Sequence, residues 1–540
     1  MRSRNSALAV IAAAACCAAA TSCSSTPTGA AGVVHDYAAA ISQQNIQKAA
    51  ALTTAPGQAA DTLTATMDGM HAMGVDTKVK RAEDFNDGTA GFTLQTTYRW
   101  DNKRKFSTET LGTARKLSSG WRVQWEPALI YPGLHPGGHL ANVRTDAKPA
   151  PRVLSSSGKP FMVMQQVNDI VVDPGLTKDL GSTVRAAARA IAPMAPQITS
   201  DVILRKTAAN PGQAVVAVTL RDPDMKVLTT DPAKIPGVSV HKYEKLVMAN
   251  RQLDSPLEDG LSNYWQALRD ATAGWQIIAA QPGRKTERLD GEQGPAGGNI
   301  ATTVDPRVQR AIGDAALDVA QPTTILALDG KTGGILGMGR NDAAAARGIS
   351  IDGEYPTGSS LSPVFDAIAK QSKATGTSSE ELLDRVGLGV VFTVPGASSP
   401  RSTGMTVEQA DYRPGEVRAS MLNVGALGVA LTRAMSGEKK SVPPFIIKGQ
   451  ETKVHDGELG TLDGALVRPI LDAMVRTVRS GDASDLTKSK GLRALVGTNG
   501  PSGPGWFLGV VDDKVIVIYT EGQRSGTAAL QAAQKYLSAR

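Results

Sequence analysis

A chain of 540 residues with 41% hydrophobic and 20% charged side chains has material for about three ordinary domain cores, which excludes a disordered or low-complexity protein. Its 58 basic and 51 acidic side chains leave a formal charge of +7, interspersed rather than run together, and give no sign of nucleic-acid binding. Beyond the N-terminus, no run reaches the roughly eighteen apolar residues that a membrane span needs.

At the N-terminus Arg2 and Arg4 precede an apolar run from Ala7 to Ala20, the small residues Ala20-Thr21-Ser22 lead to Cys23, and Ser24 to Gly29 turns polar. This resembles a bacterial lipoprotein signal peptide, with Ala20 where Leu is commoner. The resemblance implies a leader over 1–22, a tether over 23–30, and a lipid on Cys23 that anchors the chain to the outer face of the cytoplasmic membrane, in the cell envelope. Cys16, Cys17 and Cys23 are the only cysteines, so the exported body would be held by core packing without disulfides.

Residues 31–140 read as helices followed by strands. Val33, Val34, Tyr37, Ala38 and Ile41 recur at helical spacing, and a second amphipathic stretch covers Ala59 to Met73. Alternating strands follow at Thr89–Leu94, Tyr98–Trp100 and Trp121–Trp125, with Lys103-Arg104-Lys105 at a solvated hairpin end. The order predicts a cone of two or three helices against a curved antiparallel sheet. Its close, Trp121-Arg122-Val123-Gln124-Trp125-Glu126-Pro127 running on to Pro132-Gly133-Leu134, resembles the end of the N-terminal domain of methicillin-resistance-type penicillin-binding proteins; by themselves the two Trp are core aromatics.

Over 141–298 the signals weaken to irregular strands, Pro and Gly turns, and a helix around Leu180 to Ile191. By the same resemblance this is a β-rich pedestal or dimerisation domain. Pro151-Arg152-Val153-Leu154-Ser155-Ser156-Ser157-Gly158 keeps the apolar position and the Gly of its opening motif, while Ser155 and Ser156 replace an Asp-Arg pair. Ile235-Pro236-Gly237-Val238 is similar to a later strand of that domain, and Thr272–Ile277 to its late hairpin.

Residues 299–540 are long enough for one α/β domain. Thr302 to Gln309 leads into a helix reaching Ala320, and Thr324 to Met338 reads as a β-hairpin with a Gly-rich turn. Next comes Tyr355-Pro356-Thr357-Gly358-Ser359-Ser360-Leu361-Ser362, where Ser359 follows a Pro/Gly turn at the mouth of an apolar segment. Such a Ser is either a helix N-cap or a nucleophile at a helix start. A nucleophile needs a base, and in S-x-x-K acyltransferases this is a Lys one helical turn on, on the same face. Here that position is Ser362.

With the domain order and these segments together, the chain resembles a class B penicillin-binding protein over nearly its whole mature length. The implied fold is α+β and multidomain: the cone, the β-rich linker domain, and a penicillin-binding transpeptidase-like domain with an antiparallel sheet flanked by helices. The late segment Leu495-Val496-Gly497-Thr498, before the Trp506–Val511 and Lys514–Tyr519 strands, is similar to the family's K-T-G-T strand, with Leu495 in place of the Lys. Lys331-Thr332-Gly333 spells K-T-G but precedes Ser359 and occupies a turn. No S-x-N lies between Ser362 and the Gly387-Leu388-Gly389 turn, and Ser420-Met421-Leu422-Asn423 is a weak substitute. Lys370 and Lys373 stand two or more helical turns beyond Ser359, and only His455 of the six His lies in this domain.

Two functions follow from the resemblance. One is a degenerate transpeptidase, working as a scaffold or as a binder at the penicillin site in peptidoglycan synthesis or its regulation. The other is an active D,D-transpeptidase in which Ser359 attacks and backbone N–H groups near Gly497 and Thr498 hold the oxyanion. The implied partners are peptidoglycan stem peptides or other cell-wall synthesis proteins, and the membrane through the Cys23 lipid; no nucleic acid, cofactor or metal is expected. A solute-binding lipoprotein of another fold is disfavoured by the Trp506-Phe507 hairpin.

Overall fold

The first helix, α1 (Ala30–Ser42), buries Val33, Val34, Tyr37, Ala38 and Ile41, the stripe its helical spacing predicts. The computed structural model describes residues 29–101, 103–397, 417–486 and 489–539, so Cys23 lies outside the described residues. The chain divides into two units, the first running to Ala147 and taking back Ala273–Pro295, the second comprising Lys148–Thr272 and Ala296–Arg540.

In the first unit α1 is followed by α2 (Ile46–Ala51), capped by the Asn45 side chain, and α3 (Pro56–Met70), which opens on a Pro. Four antiparallel strands follow in sequential order: β1 (Gly74–Asp84), β2 (Thr89–Arg99), β3 (Lys105–Leu117) and β4 (Gly120–Val123). Alternate residues of β2 and β3 are buried, so one sheet face covers the helices and the other meets water. Then β5 (His139–Thr145) pairs with Gly274–Ala280, which pairs in turn with Glu287–Glu292. The strand beginning at Gly274, which the sequence places in the second domain, packs here instead: Ile277 and Ala279 are buried in one core with Leu140 and Trp125.

The second unit starts with β6 (Val153–Leu154), β7 (Pro160–Val172), α4 (Leu180–Ile191), α5 (Ser200–Ala209), β8 (Val215–Arg221), α6 (Asp222–Met225), β9 (Val238–Met248) and α7 (Leu257–Ala271). β7 pairs antiparallel with β9 along its length and with β6 and β8 on its other edge. The strands Gly274–Ala280 and Glu287–Glu292 are β10 and β11, and β12 (Ile300–Ala301) closes parallel to β6.

The remainder of this unit comprises α8 (Pro306–Leu317), β13 (Thr323–Asp329), β14 (Ile335–Arg340), α9 (Asp342–Ala346), β15 (Tyr355–Pro356), a 3-10 turn at Gly358–Leu361, α10 (Ser362–Thr375), α11 (Ser379–Arg385) and β16 (Val391–Thr393). It ends with β17 (Arg418–Ala419), α12 (Met421–Met435), β18 (Lys453–His455), α13 (Gly464–Ser480), β19 (Arg493–Thr498), β20 (Gly505–Val511), β21 (Lys514–Thr520) and α14 (Ser525–Ser538). A five-stranded antiparallel sheet in the order β14-β13-β21-β20-β19 forms its centre. Both faces are covered, which is why β20 and β21 read as near-continuous apolar runs. Val515, Val517 and Tyr519 join the cluster with α12, while Ile516 and Ile518 join the one with α8 and α14. α12 is buried nearly all round, and a Cβ at Gly428 would come 2.3 Å from the Val515 side chain, so the glycine is what lets helix and sheet close.

The α+β multidomain fold expected from the sequence is thus the fold observed, with helices on both faces of the C-terminal antiparallel sheet.

Candidate active site

Each segment before Ser359 is tied down by the backbone chemistry of its neighbours. Tyr355-Pro356 bridges to Arg418-Ala419, and the Pro356 carbonyl accepts from the Trp506 indole N–H at 2.8 Å. Thr357 is fully buried, its N–H and hydroxyl both donating to the Val417 carbonyl. Gly358 has φ +55°, and a Cβ there would lie 2.6 Å from the Thr498 carbonyl oxygen, so both conformation and space require glycine. The 3-10 turn then feeds α10, whose Pro363 sits in its first turn.

Ser359 therefore stands exposed at a helix start, but its hydroxyl caps no helix. Its Oγ donates to the Thr498 carbonyl at 3.1 Å and accepts from the Thr498 N–H at 3.2 Å, a closed reciprocal pair with β19. Among the described residues Oγ has no other hydrogen-bond partner, and no amine or imidazole is within reach. Thr498 N–H, a donor expected for an oxyanion, is committed to the serine itself. The Thr498 side chain projects the other way, toward Gly526 at the start of α14.

β19 alternates in a way that explains the rest. Ala494 is buried in the cluster of α8 and α14, Leu495 in the opposite cluster with Leu361, Trp506 and Leu508, and period two then puts Gly497 on the face of Leu495. A Cβ at Gly497 would lie 2.3 Å from the Ser360 nitrogen and 2.8 Å from the Ser359 carbonyl carbon. Gly497 thus does not line an open groove; the serine turn lies directly on it. Leu495 is 2% exposed and offers neither charge nor donor. Ser362, at the S-x-x-K lysine position, is the first residue of α10, and Lys370 and Lys373 are exposed on the later turns of that helix.

Between α10 and α11 there are only Gly376-Thr377-Ser378, with Gly376 at φ +75° ending α10 and the Ser378 hydroxyl capping α11. The Ser420 and Asn423 side chains are fully buried and structural: the Ser420 hydroxyl caps α12 and donates to Asn423 Oδ1 at 2.6 Å, while Asn423 Nδ2 donates to the Gly387 and Val390 carbonyls. Lys331-Thr332-Gly333 is the β13–β14 turn, with the Lys331 ammonium 2.6 Å from Asp513. His455 lies exposed on β18.

Sequence reasoning missed two things. One is an aromatic cluster at the serine turn: Tyr355 stacks on Tyr519 with centroids 4.2 Å apart, Trp506 meets Tyr519 tilted at 58° and 4.8 Å, and the Tyr519 hydroxyl donates to Glu521. Burial and the Glu521 carboxylate push the Tyr519 phenol well above its ordinary range, so it serves as a neutral donor. The other is Asp384, half-buried between Gly389 and Gly457, whose carboxyl is pushed up to about 6 by burial and then by Glu380 and Glu381. Gly389 and Gly457 are the sequence signal for the close approach to Asp384.

The fold and site define an α+β multidomain protein whose C-terminal sheet holds a serine at a helix start against an edge strand. Residues 29–138 match the family model of the NTF2-like N-terminal transpeptidase domain, about a fifth of the chain. The chain thus carries an NTF2-like N-terminal transpeptidase domain over these residues, bearing out the resemblance read from Trp121 to Leu134. A solved complex between penicillin-binding protein PBP2 and MreC from Helicobacter pylori aligns at 12% identity over 74% of this chain and 98% of that one, with a TM-score of 0.46, a likeness too loose to carry an argument. Comparison with curated proteins gives no significant match.

Proposed function

We propose that this chain is a cell-envelope protein of peptidoglycan synthesis or its regulation, in which a transpeptidase-like domain acts as a scaffold or binder and not as an acylating enzyme. The observation that supports this reading is the Ser359 hydroxyl zipped to both backbone groups of Thr498, with Ser362 and Leu495 in the two lysine positions. Near pH 7 an unassisted serine hydroxyl is a weak nucleophile, and general-base assistance contributes on the order of 10²- to 10⁴-fold. A neighbouring hydroxyl cannot supply it. Stem peptides or other cell-wall synthesis proteins are the proposed partners, and a lipid on Cys23 the proposed anchor.

The second reading, an active D,D-transpeptidase, draws on the exposure of Ser359 beside the Thr498 N–H. Incubation with a fluorescent penicillin followed by denaturing electrophoresis separates the two. The scaffold reading predicts no covalent band; a band abolished by Ser359→Ala establishes the enzyme. For the anchor, Cys23→Ala should release the protein from the membrane fraction, and retention there would overturn the lipid.

A further inference from the structure

Four tryptophans are buried, and three of their indole N–H groups donate to backbone carbonyls: Trp100 to Met70, Trp265 to Pro151 and Trp506 to Pro356. Trp125 is the exception. It is 7% exposed, and its indole N–H has no acceptor among the described residues, yet that nitrogen is not among the sealed, unsatisfied atoms. The space it lines is a cavity of about 310 Å³ within the first unit.

The cavity lies beside the first half of α3, a helix tied down at both ends. Near its C-terminus a Cβ at Gly69 would lie 2.7 Å from the Leu140 carbonyl, and Thr66 accepts from the Leu140 N–H, so this end lies flat on β5. At the other end Trp125 is tied to the segment that enters α3, its backbone N–H donating to the Thr54 hydroxyl. Between them, Gln58, Asp61 and Thr62 of α3 face Trp125, Pro127 and the Pro136-Gly137-Gly138 turn across open space. That turn is itself fixed, by Gly138 N–H on the His135 carbonyl and by the close approach of Pro282 to Gly137.

We propose that this cavity binds a small ligand that carries an ammonium group next to a hydrogen-bond acceptor. Asp61 is exposed and forms no ion pair among the described residues, which suits it to the ammonium; the Trp125 N–H takes the acceptor; the prolines give apolar walls. The volume is at the lower end of small-molecule sites, about 300–1,000 Å³. The free amino end of a short peptide and an amino sugar both present this chemistry.

The test is titration of the full chain, labelled with ¹⁵N at tryptophan, with alanyl-alanine and with glucosamine, each beside its N-acetylated form. The proposal expects one of the free amines to shift the indole resonance that disappears in Trp125→Phe, and expects Asp61→Asn to weaken that binding about tenfold or more. The arm that responds identifies the source of the amine. Ala65→Met, which fills the cavity while leaving both polar groups in the chain, should abolish the shift and stands in where Trp125→Phe does not fold. No shift with either amine, equal shifts with the acetylated forms, or shifts unchanged in Asp61→Asn and Ala65→Met would each overturn it.

Discussion

Substituting Leu495→Lys tests whether that position faces a groove or the core. Leu495 is 2% exposed and sits in the cluster with Leu361, Trp506 and Leu508. Its loss from the core costs about 2 kcal/mol. An amine with an ordinary pKa of about 10.4 that must be neutral when buried at pH 7 costs about 4 to 5 kcal/mol more, at 1.36 kcal/mol per pH unit. The sum, about 6 to 7 kcal/mol, is comparable with the whole stability of a typical domain, about 5–15 kcal/mol. A buried Lys has its folded pKa depressed, so the penalty shrinks as pH rises toward the unfolded value, by about 2.7 kcal/mol between pH 7 and 9. Urea unfolding of the chain lacking its first 28 residues, at both pH values and beside a Leu495→Met control expected to cost under about 1.5 kcal/mol, measures this. If Leu495→Lys unfolds within about 1 kcal/mol of the parent and without pH dependence, the side chain reaches water and the burial argument fails.

Asn423→Ala removes both bonds to the Gly387 and Val390 carbonyls from a fully buried site and should cost about 2 to 4 kcal/mol in urea unfolding; a cost below 1 kcal/mol would show that the loop is held by other means. Asp384 has its folded pKa raised from 3.8 to about 6, so its protonated form is the favoured one: the stability it contributes is full below about pH 4 and is lost as pH rises through 6. Asp384→Asn should therefore stabilise the chain more at pH 7.5 than at pH 4, with the difference in urea midpoint growing between these values. A pH-independent difference would contradict the shift.

The elements were legible wherever burial has a period. The helical stripe of α1 and the helix at Leu180–Ile191 follow from spacing that the structure keeps, and β20 and β21 from unbroken apolar runs that two covered faces require. The return of Gly274–Ala280 to the first unit was not legible, because Ile277 and Ala279 look the same whichever core receives them. At the site, the position of Ser359 at a helix start could be read from Pro356, Gly358 and the apolar run after it. What its hydroxyl touches could not, since the partner is the backbone of a residue 139 positions away, and backbone groups leave no trace in side-chain identity. Ser420 and Asn423 show the converse: a polar pattern that suggests chemistry but whose every bond serves a cap or a loop.

On the proposed reading, the departures from the family pattern around Ser359 share one energetic direction. A lysine in that apolar cluster would be held against its desolvation, so on the proposed reading Leu495 trades a buried charge for packing; replacing a buried ion pair by packed apolar residues is often neutral or stabilising by about 1–4 kcal/mol. Ser362 at the start of α10 removes the second charge. Without an amine to hold it, a hydroxyl at the serine position forms the bonds nearest to it, and the glycines at 358 and 497 bring the Thr498 backbone within 3.1 and 3.2 Å. Catalytic sites hold strain and unpaired groups ready for a substrate; here the corresponding groups are paired with one another. On the proposed reading, a partner or muropeptide would engage the surface around the turn and would gain nothing from displacing the Ser359–Thr498 pair. Ser359→Ala should then leave partner binding intact while costing about 0.5–1.5 kcal/mol of stability, measured side by side in a pull-down and a urea titration. Loss of binding with no loss of stability would instead mark Ser359 as a contact residue, and the idle-hydroxyl argument would fall.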